Sequence, residues 1–337
     1  MSNLPPSGEI PRGAIRFNTD SNKPELWDGS QWAEFQLSTP NLGDAGDRQP
    51  GVRGLFTGGY AVGASSPKTT NKINFVNISS QGNAQEFGTL SSGADQDIVP
   101  CGASRTRGVF RDGNSAPMTF VTFASTGNSV TFGSSGLTVN RANGLSNETR
   151  GIHGGGINSD RNQLEYITIA STGNAVDFGN LVTGAHSPGT GASPTRGIFA
   201  GCATHPSSTG NAIEFVTIAT LGNAQDFGDL PGGGDTYQTA SSSNSIRMLV
   251  LDNNVIESII ISTLGNATTF GETSTSVDAQ GGGASSPTRA LFAGGSDPAT
   301  NIEYVEFATE GNAVDFGDLT YVENRHGCGM SNGHGGL

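Results

Sequence analysis

The sequence predicts an all-β fold, a six-bladed β-propeller with a small β-hairpin in front of it, on three observations. Gly-Asn pairs recur with their asparagines at Asn83, Asn128, Asn174, Asn223, Asn266 and Asn312, at intervals of 45, 46, 49, 43 and 46 residues. Self-similarity at such a period marks a propeller or a solenoid. Strand-like segments of the same kinds flank every pair. The third observation is composition: 51 of 337 residues are glycine and only 34% are hydrophobic, which amphipathic helices tolerate poorly because an interior glycine costs about 1 kcal/mol.

Each repeat opens on an arginine-led strand, RGLFTGG, RGVFRDG, RGIHGGG, RGIFAGC, RMLVLDN or RALFAGG. An alternating strand follows, as in LEYITIAS and IEFVTIAT, with the period of two and the β-branched and aromatic enrichment of a sheet. Gly-Asn is then expected to form the hairpin reversal, since both residues accept positive φ. A shorter strand ends in Phe-Gly, at Phe87, Phe132, Phe178, Phe227, Phe270 and Phe316, whose rings are expected to pack between blades. A small-residue strand such as PCGAS, NGLS, TGAS or GGGAS completes the unit.

Four antiparallel strands, six times over, make a six-bladed propeller over 52–337, with an open solenoid as the alternative. The first repeat lacks its small-residue strand, and residues 325–331, RHGCGMS, supply one at the chain's end. Pairing the two would close the ring and remove long exposed edges.

Strands ending in Gly-Gly, followed by an alternating and then an aromatic-led strand, resemble the kelch propellers, with phenylalanine in place of the usual last-strand tryptophan. The fuller pattern, RGxFxGG then EYVTIATTGNAVDFGDL, looks like a repeat in structural proteins of marine and cyanobacterial bacteriophages.

Residues 1–38 differ, carrying both tryptophans, Trp27 and Trp32. GAIRFNTDSNKPELWDGSQW reads as two short strands and a reversal at Asp28-Gly29-Ser30. This stretch resembles a hairpin common in phage tail fibres, which implies a virion-attachment module. Residues 39–51 read as a linker.

Chemistry finds little purchase. Asp-Phe-Gly, the magnesium-binding tripeptide of kinases, occurs at Asp177, Asp226 and Asp315 without the other kinase motifs. Equivalent positions carry Glu86, Thr131 and Thr269, so a metal ring is broken and solvated outer-strand charges are expected. Arg53, Arg107, Arg150, Arg196, Arg247 and Arg289 recur in every unit and are expected to bond carbonyls or carboxylates of a neighbouring blade. His326, Cys328 and His334 fit no common zinc spacing. Cys101, Cys202 and Cys328 show no CxxC and read as small buried residues. No GxSxG elbow occurs, nor a histidine and acid placed to nominate a triad, so no catalytic, cofactor-binding or metal residue is nominated and no cofactor is expected. The net charge of −13 disfavours nucleic acid. No apolar run is long enough to cross a membrane as a helix, and the chain reads as made in a host cytoplasm for assembly into a particle.

Loops 57–70, 205–210, 231–245 and 296–301, with Tyr60 and Tyr237, vary in length and type, as binding loops on a rigid scaffold do. The expectation is a non-enzymatic bacteriophage virion protein (tail fibre, knob, neck or capsid decoration). It would contact other virion proteins through 1–38 and meet host glycan or neighbouring subunits through its propeller, as a homo-oligomer on the particle. The rivals are a glycan-degrading tailspike-type enzyme and a cellular kelch-like lectin or adaptor.

Overall fold

The structure, a computed structural model, describes residues 10–18, 23–34, 52–59, 70–91, 98–111, 117–137, 141–156, 162–202, 210–231, 240–274, 282–294, 299–323 and 327–336. Among them there is no helix. The strands form seven antiparallel sheets, one of three strands and six of four, an all-β, propeller-like arrangement. The chain divides into two compact units, Met1–Gln49 and Pro50–Leu337.

The front unit pairs Ile15–Asn18 with Lys23–Trp27 and that strand with Trp32–Glu34. The reversal falls where the sequence puts it. Asp28 Oδ1 accepts the Ser30 and Gln31 N–H groups at 2.7 and 2.8 Å, and these bonds hold the Asp28 carboxyl down at about 2. The strand beyond the turn is an addition to the predicted hairpin; three residues are too few to show a period. Trp32 pairs with Trp27, ring centroids 5.4 Å apart, and lies under the Arg16 guanidinium at 4.2 Å. The predicted linker 39–51 lies outside the described residues.

In the second unit, sheet 1 orders Gly327–Ser331, Arg53–Gly58, Lys72–Asn77 and Gln85–Thr89. Sheet 2 is Val99–Ala103, Arg107–Arg111, Pro117–Thr122 and Val130–Ser134; sheet 3 is Asn143–Ser146, Arg150–Gly154, Gln163–Thr168 and Val176–Asn180. Sheet 4 is Ala185–Ala192, Arg196–Cys202, Ala212–Thr217 and Gln225–Asp229. Sheet 5 is Ser241–Ser243, Arg247–Asp252, Val255–Ile260 and Thr268–Glu272; sheet 6 is Gly282–Ser285, Arg289–Ala293, Ala299–Glu306 and Val314–Glu323. Sheet 1 thus joins the chain's end to its first repeat, Ser331 standing opposite Gly54 and Gly327 opposite Gly58.

The core lies between sheets. Leu55, Ile73 and Phe87 of sheet 1 pack with Val121 and Phe123 of the sheet 2 repeat. The same kind of cluster recurs at each junction, through to Ile302, Phe316 and Leu319 of the sheet 6 repeat against Phe56, Val76 and Ile78 of the sheet 1 repeat. In all six sheets the register between third and fourth strands shifts at the Phe of Phe-Gly. Such a bulge takes one residue out of the ladder, and here it turns each ring into the junction.

The Gly-Asn pairs are placed differently from expectation. The third-to-fourth reversal is built upstream of them, by i to i+3 bonds such as Ser125 N–H to Thr122 O and Thr220 N–H to Thr217 O. Gly-Asn then runs along the fourth strand of the preceding sheet.

Antiparallel connectivity sorts the loops. First-to-second and third-to-fourth connections share one end of each sheet, and these are the short, repeated turns. Second-to-third connections, and those leading to the next sheet, share the other. The described flanks of loops 57–70, 205–210 and 296–301 lie there, as does the described start of 231–245. Of these, residues 60–69, 205–209, 232–239 and 296–298, with Tyr60 and Tyr237, are outside the described residues.

Candidate functional site

The six repeat arginines make one pattern. Arg53 Nη1 donates to Phe123 O at 2.6 Å, Arg107 to Ile169 O at 3.0 Å, and Arg150 to Ile218 O at 2.7 Å. Arg196 reaches Ile261 O and Arg247 reaches Phe307 O, both at 2.7 Å, and Arg289 reaches Ile78 O at 3.2 Å. Each bond runs to the next sheet's repeat, and the sixth returns to the first. Five of the guanidiniums also cover the aromatic ring of their own third strand, as Arg107 covers Phe120 at 4.2 Å. Sheet 5 has Ser258 at that place, and Arg247 sits over Phe270 at 5.3 Å instead. Of the expected partners, carbonyls are the ones used throughout.

The Gly-Asn segments make a second cycle in the opposite sense. Asn128 Oδ1 accepts the Thr89 N–H at 3.0 Å, and Asn83 closes the series on the Asp318 N–H at 3.2 Å. The glycine N–H adds a bond to the neighbour's Phe carbonyl, as in Gly127 to Phe87 and Gly82 to Phe316, each 2.8 Å. This explains the glycine of Phe-Gly: a Cβ on Gly133 would stand 2.0 Å from Gly173 O, and one on Gly88 2.2 Å from Gly127 O.

A third pattern escapes the sequence reading. Glu165, Glu214, Glu257 and Glu303 share one third-strand position and are buried. Glu214 accepts the Val182 and Thr183 N–H groups at 2.7 and 2.9 Å, and the Thr183 hydroxyl. Glu165 accepts from Ser135 and Gly136 at 2.7 and 3.0 Å, and Glu303 from the Ser274 hydroxyl and N–H. These three carboxylates thereby hold the loop leaving the preceding sheet, since a buried charge needs such donors. The signal was a glutamate repeated at the same place in LEYITIAS, IEFVTIAT, IESIIIST and IEYVEFAT. At Glu257, burial and then Asp252 push the carboxyl up to about 7.

Ser135, His153 and Glu165 bring triad residue types near each other. Ser135 Oγ bonds Glu165 Oε2 directly at 2.7 Å, with His153 Nε2 3.4 Å from Ser135 Oγ. A catalytic histidine stands between serine and acid, and all three residues here are buried. Burial, with the charge of Arg111, drives His153 down to about 3, so its 3.7 Å approach to Glu165 is that of a neutral ring.

The residues weighed from sequence are dispersed. Asp177, Asp226, Asp315, Glu86, Thr131 and Thr269 are exposed on fourth strands. Cys101, Cys202 and Cys328 are buried free thiols, and burial pushes Cys101 up to about 12. His326 lies outside the described residues. His334 lies beside Ala103 and Ser146.

A cavity of about 120 Å³ lies among the first strands of all six sheets. Its wall includes Gly102, Ser146, Thr190, Ser243, Ser285 and Met330, with His334 at one end and Arg141 before the strand start at the other. Neighbouring first strands are tied by hydroxyls. Ser146 bonds Ala103 O at 2.9 Å, Ser285 bonds Ser243 O at 2.8 Å and Ser331 bonds Ser285 O at 2.6 Å. A Cβ on Gly283 would lie 1.8 Å from Ser241 O, and one on Gly144 2.1 Å from Pro100 O, so close approach dictates the small-residue strands. The wall offers hydroxyls and carbonyls in a volume below the roughly 300 Å³ of ordinary ligand pockets.

No family model and no curated protein matches the chain.

Proposed function

We propose that the chain is a non-enzymatic bacteriophage virion structural protein, in which a closed six-bladed kelch-like propeller displays its loop-bearing end and residues 1–38 attach it to the particle. The arginine cycle carries the architectural part: six equivalent bonds, the last from Arg289 back to Ile78, support a ring in which the sixth sheet abuts the first. The last strand pairing with Arg53–Gly58 supports the same closure.

The display role is supported by how the polar side chains are spent. The repeated arginines, asparagines and glutamates hold sheets and loops to one another, while the described flanks of the variable loops share one end, where a rigid scaffold presents contacts. The virion setting rests on the resemblance of GAIRFNTD with its tryptophans, and of the repeat, to phage structural proteins. Deleting residues 1–40 is expected to abolish incorporation into particles while leaving the propeller folded. Incorporation at normal levels would overturn the attachment role. Incubation with host polysaccharide is expected to release no new reducing ends; their appearance would replace this reading with a tailspike-type enzyme.

A further inference from the structure

Residues 332–336, which follow the strand that completes sheet 1, are held by a set of hydrogen bonds to several sheets. Asn332 N–H donates to Arg53 O at 3.3 Å, its Oδ1 accepts the Arg53 N–H at 2.7 Å, and its Nδ2 reaches Arg105 O at 3.3 Å. His334 Nε2 bonds Ala103 O at 3.0 Å and stands 3.3 Å from Ser146 Oγ, while Nδ1 accepts the Gly336 N–H at 3.1 Å. Gly335 N–H donates to Ser243 O at 2.9 Å.

Two glycines fit where nothing larger does. A Cβ on Gly335 would lie 2.2 Å from Asn244 O and 2.3 Å from Ala192 O, and one on Gly336 1.8 Å from Ser146 O. Residues 332–336 thus touch the repeats of sheets 1 to 5, and Ser331, just before them, bonds Ser285 of sheet 6. All these contacts fall where first strands end, so the segment crosses one end of the central cavity.

We propose that residues 332–336 are a C-terminal latch. The latch holds Gly327–Ser331 in sheet 1 and seals the cavity at the short-turn end. A strand that arrives from the far end of the chain pairs with one neighbour in its sheet, and unpairing it would open the ring. The latch opposes this by tying the segment to five other strand ends at once. The inference rests on the closed-ring reading above.

The test uses Cys328, buried in the last strand. N-ethylmaleimide labelling of the full chain and of a chain ending at Ser331 would be followed by peptide mass spectrometry, with Cys202 of sheet 4 as internal reference. A latch predicts slow Cys328 labelling in the full chain and at least tenfold faster labelling after truncation, with Cys202 unchanged. Slow labelling in both chains would overturn the latch while keeping the closed ring. Fast labelling in the full chain itself would overturn the closed ring. Should truncation raise Cys202 as well, through general unfolding, the Gly335→Ala, Gly336→Ala double variant gives the reading: it must accelerate Cys328 selectively, and failure to do so refutes the latch. Ile246→Thr, an exposed turn change to the threonine found at Thr106, Thr149, Thr195 and Thr288, must leave both rates unchanged.

Discussion

Gly133→Ala against Gly173→Ala sets two methyl groups at the same junction between sheets 2 and 3. A Cβ on Gly133 would stand 2.0 Å from Gly173 O, whereas one on Gly173 meets nothing within 4 Å. Neither glycine has a positive φ that an L-residue would resist, so sterics alone separate them. Relieving the Gly133 contact moves the Gly-Asn segment outward by more than about 1 Å, which no hydrogen bond of 2.9–3.1 Å survives. Three such bonds cross here: Gly173 N–H to Phe132 O and Ala175 N–H to Ser134 O, both 2.9 Å, and Ser134 N–H to Asn174 Oδ1 at 3.1 Å. At roughly 0.5–1.5 kcal/mol each, Gly133→Ala costs about 2–4 kcal/mol. In a unit as large as Pro50–Leu337 that lowers Tm by about 3–7 °C. Thermal unfolding followed by far-ultraviolet circular dichroism measures it. Two variants melting within about 2 °C of each other would refute the reasoning that Phe-Gly glycines exist to admit the neighbouring Gly-Asn backbone.

Arg150→Ala loses the 2.7 Å bond to Ile218 O and the stacking 4.5 Å from the Tyr166 ring centroid, costing about 2–3 kcal/mol. Urea unfolding should place Arg150→Lys well short of wild type, because an ammonium cannot both stack and reach; full rescue by lysine would contradict this. Glu214→Gln keeps one acceptor oxygen and sets an amide donor against either the Val182 or the Thr183 N–H group, at a cost of about 1–3 kcal/mol, with faster proteolysis at 182–184; an unchanged cleavage rate would count against the loop-holding role. For pH, His153 and His334 are driven down by burial to about 3 and about 4, so between pH 6.5 and 4.5 the unfolded chain takes up two protons that the folded chain refuses. Glu257, raised to about 7, binds one proton in the folded state and works the other way. The net of one proton lowers stability by about 1.4 kcal/mol per pH unit as pH falls. Urea titrations should show this slope, with a His153→Gln, His334→Gln variant reversing it; the same slope in that variant would contradict the assignment.

Much of the fold was legible because the repeat writes each element six times. The arginine, the alternating strand, the Phe-Gly ending and the closing RHGCGMS could be read by comparison within the chain. What stayed hidden is lateral. Gly-Asn has turn chemistry, yet its asparagines are spent on the neighbouring sheet, which a period along one chain does not reveal. The third-strand glutamates sit on the inward parity of a strand, where an acid is ordinarily read as solvent-facing. Ser241–Ser243 has no periodic or apolar signal and is a strand because both neighbours approach it closely. The glycines of SNGHGG acquire their meaning only against Asn244 O, Ala192 O and Ser146 O.

Cryo-electron microscopy of assembled particles with this chain traced tests the central claim most directly. The account predicts six four-stranded sheets closed into a ring, with Arg289 against Ile78, residues 1–38 on the particle and the variable-loop end outward. An open arc of sheets, or particles without this chain, would contradict it.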